Sequence, residues 1–352
     1  MSLARLTIRG VRNLESATIE PAPGINWFRG DNGAGKTSIL EAIHVLARGR
    51  SFRSPGLSGV IAHGAESLSV HCRRGDNGDS LGVERRREGW RGRINGSDCR
   101  RISEFAARLP LVLIEPDSHR LIDGGPDRRR QFLDWLLFHV EPGYLATWQR
   151  FARILRQRNA ALKHHSGDEV LDALEQQFVP AAESINALRK EKVALLSGHV
   201  QFLAAELGFR LPGRLGLEYR PGHPGGKSLA EALAEARSRD RERGFTRHGP
   251  HRADMRLESD GHPAAVELSR GQQKLVAVLL QLAHLHLIDE AHSLRPLLLL
   301  DDPVSELDAA HLDVLLDWLE TAGIQSWVTA TQKGRDAMRV FHVEQGRIRP
   351  MV

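Results

Sequence analysis

Residues 30–37 read Gly-Asp-Asn-Gly-Ala-Gly-Lys-Thr and satisfy G-x-x-x-x-G-K-[ST] at every position. An apolar segment at 24–29 leads into them, and Ile39, Leu40, Ile43, Leu46 and Ala47 follow at helical spacing. Strand, glycine-rich loop and helix in that order make a cradle for phosphate. Glycines let backbone N–H groups curl around phosphate oxygens without a side-chain clash, and the new helix adds its positive end. Gly30, Asp31, Asn32, Gly33, Ala34, Gly35, Lys36 and Thr37 are thus the candidate nucleotide-binding residues. Lys36 is expected to reach the β- and γ-phosphates of ATP, and Thr37 to ligate Mg²⁺.

Such a loop serves kinases, GTPases, helicases and ABC ATPases alike, and the last third of the chain separates them. Residues 297–302, Leu-Leu-Leu-Leu-Asp-Asp, read as a buried strand ending in two carboxylates. Asp301 is expected to hold Mg²⁺, directly or through water. Asp302 stands where ABC ATPases usually carry the Glu that orients the attacking water. Ser305-Glu306-Leu307-Asp308 looks like the ABC D-loop, with Ser305 and Asp308 its candidate residues. Upstream, Ser269-Arg270-Gly271-Gln272 resembles the ABC signature, an S-x-G-Q element opening a buried helix over 275–288. Read alone, Ser269 is simply a good helix N-cap. In ABC ATPases the signature of one subunit completes the nucleotide site of another. The resemblance therefore implies that Ser269, Arg270, Gly271 and Gln272 act in trans, in an ATP-dependent homodimer.

Lys36 and Ser269 are 233 residues apart, roughly twice the spacing of a transporter cassette. The surplus lies between 126 and 244, where the pattern is helical. Leu145, Trp148, Phe151, Ile154 and Leu155 form one stripe. Val170, Leu171, Leu174 and Phe178 form another, which Ile185 and Leu188 continue past Pro180. Two helices of roughly 21 and 38 residues would run about 30 and 55 Å at ~1.5 Å per residue. Ser228 with Glu231 is a capping-box start for one more. The segment is too short and too weakly heptad for a long coiled coil. The expected fold is α/β, an ABC-type P-loop ATPase head with a mixed sheet (1–125 and 245–352) plus an inserted all-helical lobe (126–244). Strands are expected at 68–74, 81–87, 326–330 and 341–343.

Composition adds limits. Of 352 residues, 41% are hydrophobic and 26% charged, ordinary for a globular chain, and the net charge of +5 permits contact with a polyanion. Arg clusters at 85–87, 128–130 and 237–243, each of which a solvated face would also explain. Cys72 and Cys99 form no metal-ligand pattern and no disulfide framework, and the N-terminus lacks the apolar core of a signal peptide. No apolar run approaches the ~20 residues of a membrane span. A soluble, cytoplasmic protein with no membrane partner is expected.

Several further segments, in order, resemble the RecF family of bacterial DNA replication and repair proteins along nearly the whole chain. They are Ile8-Arg9-Gly10-Val11-Arg12-Asn13, Gly49-Arg50-Ser51-Phe52-Arg53, Arg128-Arg129-Arg130-Gln131-Phe132-Leu133-Asp134, Gln157-Arg158-Asn159-Ala160-Ala161-Leu162 and Gly249-Pro250-His251-Arg252. The resemblance implies an ATPase that binds DNA and dimerises with ATP. It also implies slow hydrolysis and joint action with RecR and RecO to load recombinase at single-strand gaps, with a part in replication restart and the SOS response. Three departures from ordinary ABC sites point to slow turnover. Asp302 is one methylene shorter than Glu, and 328–331, Val-Thr-Ala-Thr, lacks the usual switch His. The Gln of the Q-loop is not evident, and Glu115 is the nearest candidate. Arg128, Arg129 and Arg130 are the candidate DNA contacts, because cations at a helix start oppose the helix dipole. A transporter cassette fits the 233-residue spacing poorly, and a small-molecule kinase has no use for Ser269-Arg270-Gly271-Gln272. A clamp with a purely structural nucleotide is a third reading.

Overall fold

The computed structural model describes residues 2–56, 59–86, 89–211, 213–291, 295–335 and 338–351. Two compact units divide the chain, Met1–Ser118 with His284–Val352, and His119–Ala283.

The first unit opens with β1 (Leu3–Val11), β2 (Leu14–Ile19), β3 (Ile25–Arg29) and α1 (Lys36–Arg48). Then come β4 (Ser67–Arg74), β5 (Ser80–Arg86), β6 (Gly89–Ile94), β7 (Ser97–Cys99), α2 (Ile102–Arg108) and β8 (Leu111–Ile114). Strands β2-β1-β4-β5-β6-β7 pair antiparallel. Their clean alternation buries Leu6, Ile8, Val70, Cys72 and Val83 on one side and leaves the other to solvent. Arg87, expected as the last residue of the strand at 81–87, lies outside the described residues. Cys72 and Cys99 are free and buried, and burial pushes the Cys72 thiol up to about 12.

The second unit holds α3 (Arg120–Asp123), α4 (Pro126–Val140), α5 (Tyr144–Lys163), α6 (Asp168–Glu206), β9 (Leu215–Arg220), α7 (Leu229–Arg243), β10 (Asp254–Ser259), β11 (His262–Pro263) and α8 (Ala264–Glu267). The long helix α9 (Arg270–Ala291) begins here and ends in the first unit. Helices α5 and α6 run 20 and 39 residues, with Pro180 inside α6. The capping box at Ser228 and Glu231 forms as expected. The helical expectation for 126–244 is corrected at one place. Leu215–Arg220 is a strand, because its alternating Leu-x-Leu-x-Tyr pattern pairs antiparallel with β10. That pairing joins residues on both sides of 244, so the compact unit runs from His119 to Ala283. Trp148 and Val170, placed in the apolar stripes, are exposed. Phe151, Ile154, Phe178 and Ile185 are the core residues of this unit.

The chain ends in the first unit with β12 (Leu297–Asp301), α10 (Ala309–Ala322), β13 (Ser326–Ala330), β14 (Arg339–Glu344) and β15 (Arg347–Pro350). A mixed sheet of order β15-β14-β3-β13-β12-β8 results, parallel except for the β14–β15 hairpin. Every residue of β12 and β13 is buried, which is why both read as unbroken apolar or small runs. Phe28 stacks on Trp327 and Phe341 at centroid separations of 5.4 and 4.8 Å, tying three strands together under the glycine-rich loop. Among the described residues no helix is long and apolar enough to cross a membrane.

Candidate nucleotide site

The loop at 30–37 joins the end of β3 to α1 at the carboxyl edge of the parallel sheet, the edge where open α/β sheets bind ligands. Its glycines are required by geometry. A Cβ on Gly30 would stand 2.1 Å from the carbonyl oxygen of Val343, and Gly35 has φ of +113°. Gly35 is also the N-cap of α1 and supplies no side-chain cap, so the first N–H groups of the helix are left for an anion. Behind the loop, Asn13 donates to the Gly33 carbonyl at 3.1 Å and accepts from the Ser38 hydroxyl at 3.1 Å. The Gly346 amide donates to the Ala34 carbonyl at 2.9 Å. These bonds brace the loop in its cradle shape.

The Lys36 ammonium donates to the carbonyls of Gly30 (2.7 Å) and Asp31 (2.9 Å). Burial pulls its pKa below the ordinary lysine value, and Asp302, Asp301 and Asp31 pull the other way. An ammonium with that balance gains from an added anion, which would supply the counter-charge that burial denies it.

Asp301 ends β12, and its Oδ1 accepts from the hydroxyls of Thr37 (2.8 Å) and Thr329 (2.6 Å). Burial raises its pKa, while the two hydroxyls and the Arg53 charge work against that rise. Thr37 and Asp301 offer oxygen donors alone, the donor type Mg²⁺ takes, so the residues fit that ion. Asp302 follows with φ of 48°, a left-handed conformation that Asp and Asn adopt more readily than most residues. Its amide is held by the Thr329 carbonyl and hydroxyl, each at 3.1 Å.

Thr329, Asn13 and Arg53 are the site residues that motif reading did not assign. Thr329 is the residue registered opposite Asp301 in the parallel β12–β13 pair, so its signal lay in sheet register, not in local sequence. Arg53 is exposed, and its segment is anchored through Ser51, whose hydroxyl donates to Glu41 of α1. Glu41 is fully buried and also takes two hydrogen bonds from Arg12, at 2.9 and 2.8 Å. Glu115, the Q-loop candidate, directly follows β8, one position beyond the Leu300–Ile114 pair.

Ser305, the D-loop candidate, donates to the Asp302 carbonyl at 2.9 Å, which ties that segment to the Asp302 backbone. Asp308 caps α10 by accepting from the His311 amide at 2.9 Å. In the second unit, Ser269, Arg270, Gly271 and Gln272 open α9 and are all exposed. The Ser269 amide donates to the Gln272 side chain at 2.9 Å, so the segment caps its own helix. Arg270 pairs with Asp123 at 2.5 Å.

The three arginines at the start of α4 divide. Arg129 is buried, grips Asp254 through Nε (2.7 Å) and Nη2 (3.1 Å), and donates to the Gly124 carbonyl at 2.6 Å. Arg130 bonds the Ala253 carbonyl at 2.6 Å and pairs with Asp127. Arg128 alone is exposed. These contacts explain why cations stand at a helix start: they tie α4 to β10. The run at 237–243 is similarly engaged, since Arg237 pairs with Asp172 and Glu175, and Arg241 with Asp168.

A P-loop beside a carboxylate-ended strand, on a mixed sheet flanked by an antiparallel one, defines the ABC type of ATPase head. The family model described as RecF/RecN/SMC N terminal domain matches residues 2–348. The RecF of Thioalkalivibrio sulfidiphilus is 39% identical over 99% of both chains. That of Pseudomonas fluorescens is 42% identical over 99% of this chain and 98% of its own. A solved structure of the recombination mediator RecF with ATP, from the RecFOR pathway, superposes with a TM-score of 0.90 at 25% identity, covering 100% and 98% of the two chains. The chain belongs to the RecF family of DNA replication and repair proteins.

Proposed function

We propose that this chain is an ATP-driven switch in DNA repair. ATP would bind with its phosphates in the loop at 30–37 and its terminal phosphates on Lys36. Thr37 and Asp301 would hold Mg²⁺, which supplies charge neutralisation at the phosphate oxygens. The observation that carries the reading is the convergence of the Thr37 and Thr329 hydroxyls on one carboxylate oxygen of Asp301. Asp302 is the candidate group for orienting the attacking water.

Two copies would pair so that Ser269, Arg270, Gly271 and Gln272 of one meet the γ-phosphate held by the other. The exposure of that segment supports this, because capping its own helix does not require it to face solvent. ATP then stabilises the pair by mass action, and hydrolysis releases it. Turnover is slow, since Asp is shorter than Glu and Thr331 stands near where a switch His is usual. DNA contact follows from the repair role of the relatives. So do RecO and RecR as partners, recombinase loading at gaps, a part in replication restart and SOS induction, and a cytoplasmic location. Phosphate release with and without DNA tests the switch. Release indistinguishable from buffer in both cases would favour a clamp whose nucleotide is structural.

A further inference from the structure

The solvent face of the antiparallel sheet carries a charge arrangement that the ATPase does not use. By register, Arg5 of β1 lies directly opposite Arg73 of β4, and Thr7 opposite His71. Arg9 lies opposite Ser69, and on the next strands Glu84 lies opposite Arg91 and Gly82 opposite Arg93. Arg5, Arg9, His71, Arg73, Arg91 and Arg93 are all exposed.

Like charges directly opposite on one face destabilise a strand pair. Here Glu84 is already engaged with Arg86 at 2.8 Å and Asp98 with Arg93 at 3.2 Å. Arg5, Arg9, Arg73 and Arg91 have no salt-bridge partner among the described residues. Partial burial first and then the Arg5 charge hold His71 below the usual imidazole value, and its Nε2 lies 2.7 Å from the Ser80 hydroxyl. An unbalanced face of this kind is retained at a cost to the sheet and gains when an anion covers it.

The rest of the face indicates which anion. Between the arginines stand Thr7, Ser69 and Gly82, with no large apolar side chain. A protein-binding surface normally has an apolar centre, whereas arginines with Ser and Thr hydroxyls are the donors that contact nucleic-acid phosphates. From β1 to β6 is three strand intervals, roughly 14 Å at ~4.8 Å each, and from Arg5 to Arg9 roughly 13 Å at ~3.3 Å per residue. A patch of that size matches the ~12 Å width of the major groove between two phosphate backbones.

We propose that the outer face of this sheet holds the sugar–phosphate backbone of duplex DNA, with Arg5, Arg9, Arg73 and Arg91 on phosphates. The choice of ligand rests on the repair function proposed above. A rigid sheet that reads only phosphates binds without sequence preference.

The test uses the full chain with ATP and Mg²⁺ and a short fluorescent duplex, read by anisotropy over a salt series. Arg5→Ser with Arg73→Ser should weaken binding at least about tenfold and flatten the slope of log K against log salt by about 1.8, at ~0.9 per lost contact. Melting temperature should hold or rise, since a like-charged pair is gone, and ATP-dependent dimerisation should persist. Arg91→Ser, at the far side of the patch, should flatten the slope by about 0.9. Wild-type binding with unchanged slopes in both variants overturns the sheet as the DNA surface and leaves the repair reading standing. A wild-type chain that ignores duplex at every salt overturns that reading and this proposal together. Variants that keep duplex binding but lose binding to poly-glutamate would make the face a protein-docking surface, and the proposal fails.

Discussion

The Thr37 hydroxyl reaches across 264 positions of sequence to donate a 2.8 Å hydrogen bond to Oδ1 of Asp301. Thr329 donates to the same oxygen from the neighbouring strand. A buried carboxylate is costly unless hydrogen-bonded, and these two hydroxyls are what keep Asp301 in place before any ligand arrives.

Asp301→Asn should therefore stabilise the ligand-free protein while removing its response to Mg²⁺ and ATP. Burial raises the folded-state pKa of Asp301 above the unfolded value, so the native state keeps that proton after the unfolded chain has lost it. Stability from this group is full below the ordinary carboxylate value and falls as pH rises through the folded value. Calorimetry should find the variant melting higher than wild type at neutral pH and with a shallower decline from acid to neutral pH. It should also show no upward shift on adding ATP with Mg²⁺. A variant that melts lower at neutral pH would mean that Asp301 is not a strained carboxylate.

Asp302→Asn should bind ATP normally and lose turnover by about 10²–10⁴-fold, the range for a positioned acid–base group. The left-handed backbone at this position suits Asn as well as Asp, so the fold should be undisturbed. Phosphate release in single turnover reads the effect. Normal release would assign the water to another group.

Lys36→Ala should weaken ATP binding by about 10- to 150-fold, from ~1.5–3 kcal/mol for hydrogen bonds to a charged group. Equilibrium binding of a fluorescent ATP analogue measures it, and unchanged affinity would leave the loop at 30–37 without its expected role.

Arg129→Ala should cost on the order of 3 kcal/mol, the low end for breaking a buried ion pair, because Asp254 is partly exposed. Arg128→Ala should lie within about 0.5 kcal/mol of wild type. Urea denaturation separates the two, and a neutral Arg129→Ala would remove the structural explanation for these cations.

The glycine-rich loop at 30–37, the strand ending in Asp301 and the helix opened by Ser269 were legible as elements because each is written in a few consecutive residues. What was not legible depends on partners far along the chain. The strand Leu215–Arg220 is a short alternating run amid helical segments, and its pairing with Asp254–Ser259, some 40 positions on, is what fixes its form. Thr329 enters the site through strand register, and Arg129 leaves the candidate DNA surface because Asp254, 125 positions away, claims it. Trp148 and Val170 kept the helical period yet face solvent, since an apolar stripe wider than the contact it makes leaves its margins uncovered.

Sedimentation of the chain with and without ATP and Mg²⁺ is the most direct measurement of the switch. Wild type should pass from monomer to dimer with ATP and return with ADP, and Asp302→Asn should remain a dimer. Ser269→Arg should bind ATP as tightly as wild type and sediment as a monomer, because its bulk and charge would occupy the segment that meets the γ-phosphate of the opposite copy. A Ser269→Arg chain that dimerises with ATP like wild type would contradict pairing through that segment, and with it the account of how this ATPase switches.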